Sequence, residues 1–384
     1  MGNSQRRAGG SKVVTVCTSS PSHMNLNKLN HQNPDMTPLA GKHERIQYID
    51  ALRGFTMILV VFYHVSQFCW HVCGKGISIQ DFLVQVRMPM FFFISGVVLY
   101  KESVVWNGKQ IIKFFRKKIP VQLISPFVFF LAYIYVCNRP FLYNVMAPAK
   151  AGYWFTFVLL EYYVFYAAVR FFIRGKWGHW VLLILGALMY YIWQSPFHEV
   201  IPISRSVQNA WSMLLWKYFI FFVMGTLVKQ HFPLVEKALN QSWLLTCCIL
   251  FYFLVNVFRK YFTVGITVTE FMLTFTGMVI LFSFFRNNQA AFSKERPVGR
   301  TLQYIGRRTL DVYLIHYFLL PRQLGKVTTV FTDHPMPIIE AAVSLLIALI
   351  IVAASLLISN IIRLSPFLAH WLFGAKYPTT KNSI

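Results

Sequence analysis

The sequence predicts an all-α, polytopic membrane protein of about ten transmembrane helices with both termini cytoplasmic. Three observations predict it. Hydrophobic residues make up 56% of the 384 and charged residues only 13%, about half the share that soluble domains carry. Apolar runs near twenty residues recur from residue 46 onward, long enough to cross a ~30 Å hydrocarbon core at ~1.5 Å per residue. The 37 Lys and Arg, set against 13 Asp and Glu, fall between those runs rather than on one polar module. That distribution argues against nucleic-acid binding, the usual reading of a net charge of +24 and a pI near 9.9.

Residues 1–45 are polar and lack a helical period, so they are expected to form a disordered tail that activity does not need. They do not read as a secretory signal, and Arg6 stands where myristoylation wants Ser or Thr. Residues 46–365 carry the expected spans: 49–71, 82–100, 119–137, 153–173, 178–194, 209–229, 243–261, 265–285, 303–321 and 338–362. Residues 366–384 are left as a short cytoplasmic tail. With this division, 26 of the 37 basic residues fall on the side of the termini and 8 on the opposite side. Arg170, Lys229, Arg259, Lys260, Arg307 and Arg308, near span ends, are counted with the adjoining loop, and the other three, Arg53, Arg87 and Lys217, are assigned to neither side. Such an asymmetry places the termini in the cytoplasm.

The six cysteines form no disulfide framework. Cys69 and Cys73 flank His71, but near the end of an apolar helix they read as small packing residues rather than as a metal pair, and no metal is expected.

An ionisable side chain inside a span is costly and therefore a functional candidate. Asp50, Arg53 and His64 share one face of the first helix. Eleven residues return Arg53 and His64 to within ~20° of one another and separate them by ~16 Å along the axis. Counted inward from the outer boundary, His64, Arg87, Glu161, Lys217 and His316 lie at similar depth, ~8–14 Å down, on five different helices. The alternative is a structural layer in which Arg87 and Lys217 pair with Glu161. Pro89 is expected to kink the second helix beside Arg87, and Phe91-Phe92-Phe93 to serve packing.

These residues resemble the acyltransferase-3 family of integral membrane O-acyltransferases. The resemblance rests on Asp50-Ala-Leu-Arg53-Gly54, ten residues between Arg53 and His64, and Arg87-Met-Pro-Met-Phe-Phe-Phe-Ile-Ser-Gly96. Tyr153-Trp154-Phe155, Glu161-Tyr162-Tyr163 and Thr309-Leu-Asp-Val-Tyr-Leu-Ile-His316 are similar to its later segments. It implies transfer of an acyl group, usually acetyl from acetyl-CoA, to an envelope carbohydrate, with Arg53 and His64 essential and a bacterial inner membrane as location. The fused esterase-like domain of better-known members is missing from the sequence, so direct transfer is the simpler scheme.

On this reading Arg53, supported by Asp50, and the basic loops 101–118 and 294–308 hold the CoA phosphates. The ~16 Å to His64 suits a pantetheine arm. His64 is the expected base, Arg87 or Lys217 stabilises the oxyanion, and Glu161 orients His64 or binds sugar. Lys217, His316 and Trp154 are the expected acceptor contacts. A polysaccharide exporter is the contrasting class, though no inverted repeat supports one. Transfer to an amino group stays open.

Overall fold

The computed structural model describes residues 46–73, 78–175, 177–258, 266–321 and 330–375. The expected N-terminal tail lies outside the described residues, as do basic positions such as Lys75, Arg259 and Arg322. Every regular element among the described residues is helical, as a backbone surrounded by lipid requires.

The first helix, α1 (Gln47–Val65), runs on through a π-helical turn (Ser66–Trp70) and is followed by α2 (Gln80–Leu99), which continues unbroken past Pro89. Asn107 caps α3 (Gly108–Ile119) by accepting from the Gln110 N–H at 2.9 Å. That helix passes through a second π turn, Pro120–Ile124, into α4 (Ser125–Val136). Then come α5 (Phe141–Met146), α6 (Trp154–Phe172), α7 (Trp177–Gln194), α8 (Arg205–Ala210), a 3-10 segment Met213–Tyr218 and α9 (Phe219–Gln230). The chain closes with α10 (Phe232–Leu239), α11 (Ser242–Val257), α12 (Ile266–Asn287), α13 (Pro297–Arg307), α14 (Thr309–Leu319), α15 (Pro337–Ile362) and α16 (Pro366–Phe373).

Among the described residues, seven helical stretches are long and apolar enough to cross a membrane, and an eighth if α10 and α11, bent by 76°, count as one span. Ten were expected. The expected fifth span exists as α7 but falls outside the seven. The expected ninth is broken at Arg308, whose φ of −112° and ψ of 20° leave the helical region. The cause is legible in α13 itself. Arg300 and Arg307 are exposed while Gly299, Gln303 and Gly306 are buried, so α13 covers a neighbour and is too polar to face lipid.

That neighbour is α1, the centre of the molecule: 72% of its most apolar window is buried, against 28% for α15. The crossing of α1 and α13 is a backbone-to-backbone contact. A Cβ on Gly54 would overlap the Leu302 carbonyl oxygen, and one on Gly306 the Asp50 carbonyl oxygen. Small residues are what allow such an approach in a bilayer. α2 and α9 cross in the same way at Gly96 and Gly225.

α15 fastens α1 and α14 at both ends. Near its start, the buried Glu340 accepts from Ser66 at 2.6 Å, Ser344 at 2.7 Å and Ser78 at 2.8 Å. Beyond its end, Arg363 grips Asp311 of α14 with Nε and Nη2 at 2.9 and 3.0 Å, a planar fork on one carboxylate. The described part of the segment beyond 365 is helical over α16. Ser365 caps α16, Gly374 (φ +64°) ends it in the left-handed region, and the Leu372 carbonyl accepts from Ser125.

Candidate active site

A cavity of about 470 Å³ lies among α1, α2, α3, α6 and α14. One end is lined by Lys101, Lys113, Lys117 and Lys118, of which the first three are exposed. Its middle is apolar, with Met57, Met88, Phe91, Ile94 and Leu159. The deep end is formed by His64, Tyr317, Gly152 and Trp154.

His64 Nδ1 lies 3.0 Å from His316 Nε2, and His316 Nδ1 lies 2.9 Å from the Val312 carbonyl oxygen. The two rings are within 9° of parallel and 5.1 Å apart at their centres, as two in-plane rings joined nitrogen to nitrogen must be. A carbonyl only accepts, so His316 carries its proton on Nδ1. A neutral His316 then accepts at Nε2 from the Nδ1–H of His64. The lone pair of His64 is thereby fixed on Nε2, on the cavity wall, where the Tyr317 hydroxyl meets it at 3.2 Å.

The segment before α6 holds this arrangement. Tyr153 donates to the Leu314 carbonyl at 2.9 Å, Tyr313 donates to the Gly152 carbonyl at 3.0 Å, and the Phe155 N–H donates to the Tyr313 hydroxyl at 3.1 Å. Gly152 has φ +103°, and a Cβ there would overlap the Tyr317 ring. Only glycine keeps both the turn and the tyrosine in place.

Of the residues expected at the site, His64, Arg53 and Trp154 line the cavity, and His316 reaches it through His64. Arg53 Nη2 donates to Thr309 Oγ1 at 3.1 Å. Asp50 is half-buried on the same helix and off the cavity wall. Arg87, Glu161 and Lys217 are also off the wall. The Arg87 guanidinium stacks 3.2 Å over the Tyr63 ring, and its Nη1 is buried with no hydrogen-bond partner. Glu161 accepts from the Trp216 indole at 2.8 Å, and Lys217 donates to Gln194 at 2.9 Å.

Among the described residues no ion pair joins these three: Trp216 bonds Glu161 Oε2 and Gln194 bonds Lys217, while Glu161 Oε1 and Arg87 Nη1 are each buried without a hydrogen-bond partner. The orienting contact to His64, expected of Glu161, is made by His316. Nearby Lys150, in the loop before α6, donates to the Val145 and Ala210 carbonyls at 3.1 and 2.6 Å. Burial pushes the pKa of its ammonium down, and the Glu161 carboxylate pushes it back up.

Of the two basic loops, 101–118 lines the cavity and 294–308 does not. Arg308 instead bonds Asn360 at 3.1 Å and approaches Asp311 at 3.6 Å. Tyr317, Thr309 and the individual lysines of the wall were not singled out from the sequence. Tyr317 follows His316 directly, but only the crossing of α14 with α1 brings its hydroxyl to Nε2.

A multi-pass helical protein with a deep internal cavity fits the class of the integral membrane acyltransferases. The chain belongs to the acyltransferase-3 family, whose model, described as an acyltransferase domain, matches residues 46–364. No curated protein and no solved structure matches it.

Proposed function

We propose that the protein transfers an acyl group, acetyl first among them, from acyl-CoA to a hydroxyl of a cell-envelope or extracellular carbohydrate. One observation carries the reading: one cavity joins a mouth of four lysines to His64 Nε2, where the Tyr317 hydroxyl now sits. A CoA thioester has that polarity, with phosphates at one end, a thin arm, and a reactive carbonyl at the other. The lysines and Arg53 take the phosphates, the apolar middle takes the arm, and the thioester comes to His64.

His64 Nε2 then removes the proton of the acceptor hydroxyl as its oxygen attacks the thioester carbonyl. On this reading the acceptor hydroxyl takes the place at Nε2 that the Tyr317 hydroxyl holds. The tetrahedral intermediate collapses with cleavage of the C–S bond, and the proton on His64 passes to the departing thiolate. His316 keeps the imidazole in one tautomer and shares the positive charge that forms. Tyr317, released from Nε2 by the acceptor, is the hydroxyl donor nearest the developing oxyanion.

Mass spectrometry of envelope glycans from cells with and without the gene tests this directly. Glycans from cells with the gene should gain the mass of one acyl group on a hydroxyl. Purified protein in nanodiscs should move label from acetyl-CoA to the same glycan. No transfer from any acyl-CoA overturns the donor assignment, and glycan export without acylation favours the exporter class.

A further inference from the structure

Two polar atoms on the cavity wall are left unused by the fold. Gln122 lies in the π turn Pro120–Ile124, and its Oε1 is shut off from solvent with no hydrogen-bond partner. Thr156 on α6 is 2% exposed; its Oγ1 is also shut off from solvent and makes no hydrogen bond of good geometry, its polar neighbour being the Tyr313 side chain. Buried polar atoms of folded proteins are nearly always satisfied, so two orphans on one cavity wall point to a ligand that supplies the missing partners. A π turn is also a common device for turning a side chain into a site, and Pro120 brings no N–H to restore the α-helical ladder there.

Their depths narrow the ligand. Gln122 is one turn, ~6 Å, beyond Lys118 on the same continuous helix. Thr156 is seven residues, ~10 Å, beyond Tyr163 on α6. The side chains of Lys118 and Tyr163 meet, with Lys118 Nζ 5.0 Å from the Tyr163 ring centre. Counted from that contact, Gln122 is the orphan nearer the lysine mouth and Thr156 the one nearer His64. Pantetheine carries two amides between its phosphates and its sulfur, one β-alanine apart, ~5 Å from nitrogen to nitrogen.

Resting on the acyl-CoA reading above, we infer that Gln122 and Thr156 recognise the two pantetheine amides, Gln122 the one nearer the nucleotide and Thr156 the one nearer the thioester. A carboxamide presents an acceptor and a donor in one plane, matching the N–H and C=O of an amide, and a hydroxyl does both by rotation. The pair sets the register of the arm, so that the thioester carbonyl stops at His64.

Calorimetry on the full chain in nanodiscs tests this, with two probes: coenzyme A, and adenosine 3′-phosphate 5′-diphosphate, which is its nucleotide half without the arm. Gln122→Met keeps length and loses the polar atoms, and should weaken coenzyme A about tenfold while leaving the nucleotide half unchanged. Thr156→Val, nearly isosteric, should weaken coenzyme A about threefold with the same selectivity. Lys117→Ala should weaken both probes alike.

If Gln122→Met changes neither probe, or both equally, the amide assignment is overturned while the acyl-CoA reading stands. Wild-type protein that binds coenzyme A no tighter than the nucleotide half also overturns it. Wild-type protein that binds neither probe defeats the donor reading, and this inference falls with it.

Discussion

The two ends of the cavity are built on opposite principles. At the mouth, exposed lysines on α3 and the segment after α2 act through long side chains and charge, with few fixed hydrogen bonds. At the deep end, His316 is wholly buried, and His64, Tyr317 and Val312 are joined by bonds of 2.9 to 3.2 Å. On the proposed function, a flexible cationic end tolerates motion and would give donor affinity, whereas a rigid end that fixes one lone pair would give rate. Mutations should therefore sort cleanly into donor affinity at the mouth and turnover at the deep end.

His64→Ala should have the largest effect. It removes the base while leaving the lysines and Arg53, ~16 Å away, untouched. Turnover should fall by about two to four orders of magnitude with coenzyme A affinity within about twofold of wild type. His64→Gln can hydrogen-bond but cannot take the proton, so it should restore folding without restoring rate. Near-normal transfer by purified His64→Ala protein would remove the base from this end altogether.

His316 comes next. His316→Phe keeps a ring and loses the acceptor that holds the His64 proton on Nδ1, so turnover should fall about ten- to a hundredfold with donor KM unchanged. His316→Gln, whose carbonyl can accept that proton, should recover part of the loss. If Phe and Gln behave alike in a folded protein, His316 is packing and the deep end is simpler than described.

The depth argument made part of this end legible beforehand. Counting residues placed His64 and His316 at one level, and their rings meet. The same count put Arg87, Glu161 and Lys217 there, yet they lie off the cavity, paired with Tyr63, Trp216 and Gln194. Depth follows from a fixed rise per residue, but which face of each helix meets which neighbour is decided by tertiary contacts such as Gly54 against Leu302. The break at Arg308 is not legible in the sequence for a related reason: the expected span has the right length but opens on the end of an amphipathic helix. Lys101, Lys113, Lys117 and Lys118 were legible as a basic loop, but not as one wall of a cavity.

Arg53 lines the cavity ~16 Å along α1 from His64 and should give an intermediate effect. Arg53→Lys keeps the charge but loses the planar fork and the hydrogen bond to Thr309, so donor KM should rise about tenfold with turnover little changed. Thr309→Val removes that one hydrogen bond while keeping the guanidinium and should raise KM about two- to threefold. A fall in turnover without a change in KM would assign Arg53 to the deep end.

Salt should produce the smallest effect and discriminate most finely. The screening length shrinks from ~10 Å at 0.1 M to ~3 Å at 1 M ionic strength, so exposed lysines lose much of their pull on a polyanion. The His64–His316 contact is a hydrogen bond between neutral rings away from solvent, which ions in solution barely reach. Raising salt from low to high should therefore lift acyl-CoA KM about three- to fivefold and leave turnover at saturating donor within about a factor of two. Lys117→Ala should flatten that dependence, because one of the screened charges is already gone. If salt lowers turnover while KM stays fixed, charge is acting at the deep end, and the division of labour between the two ends is wrong.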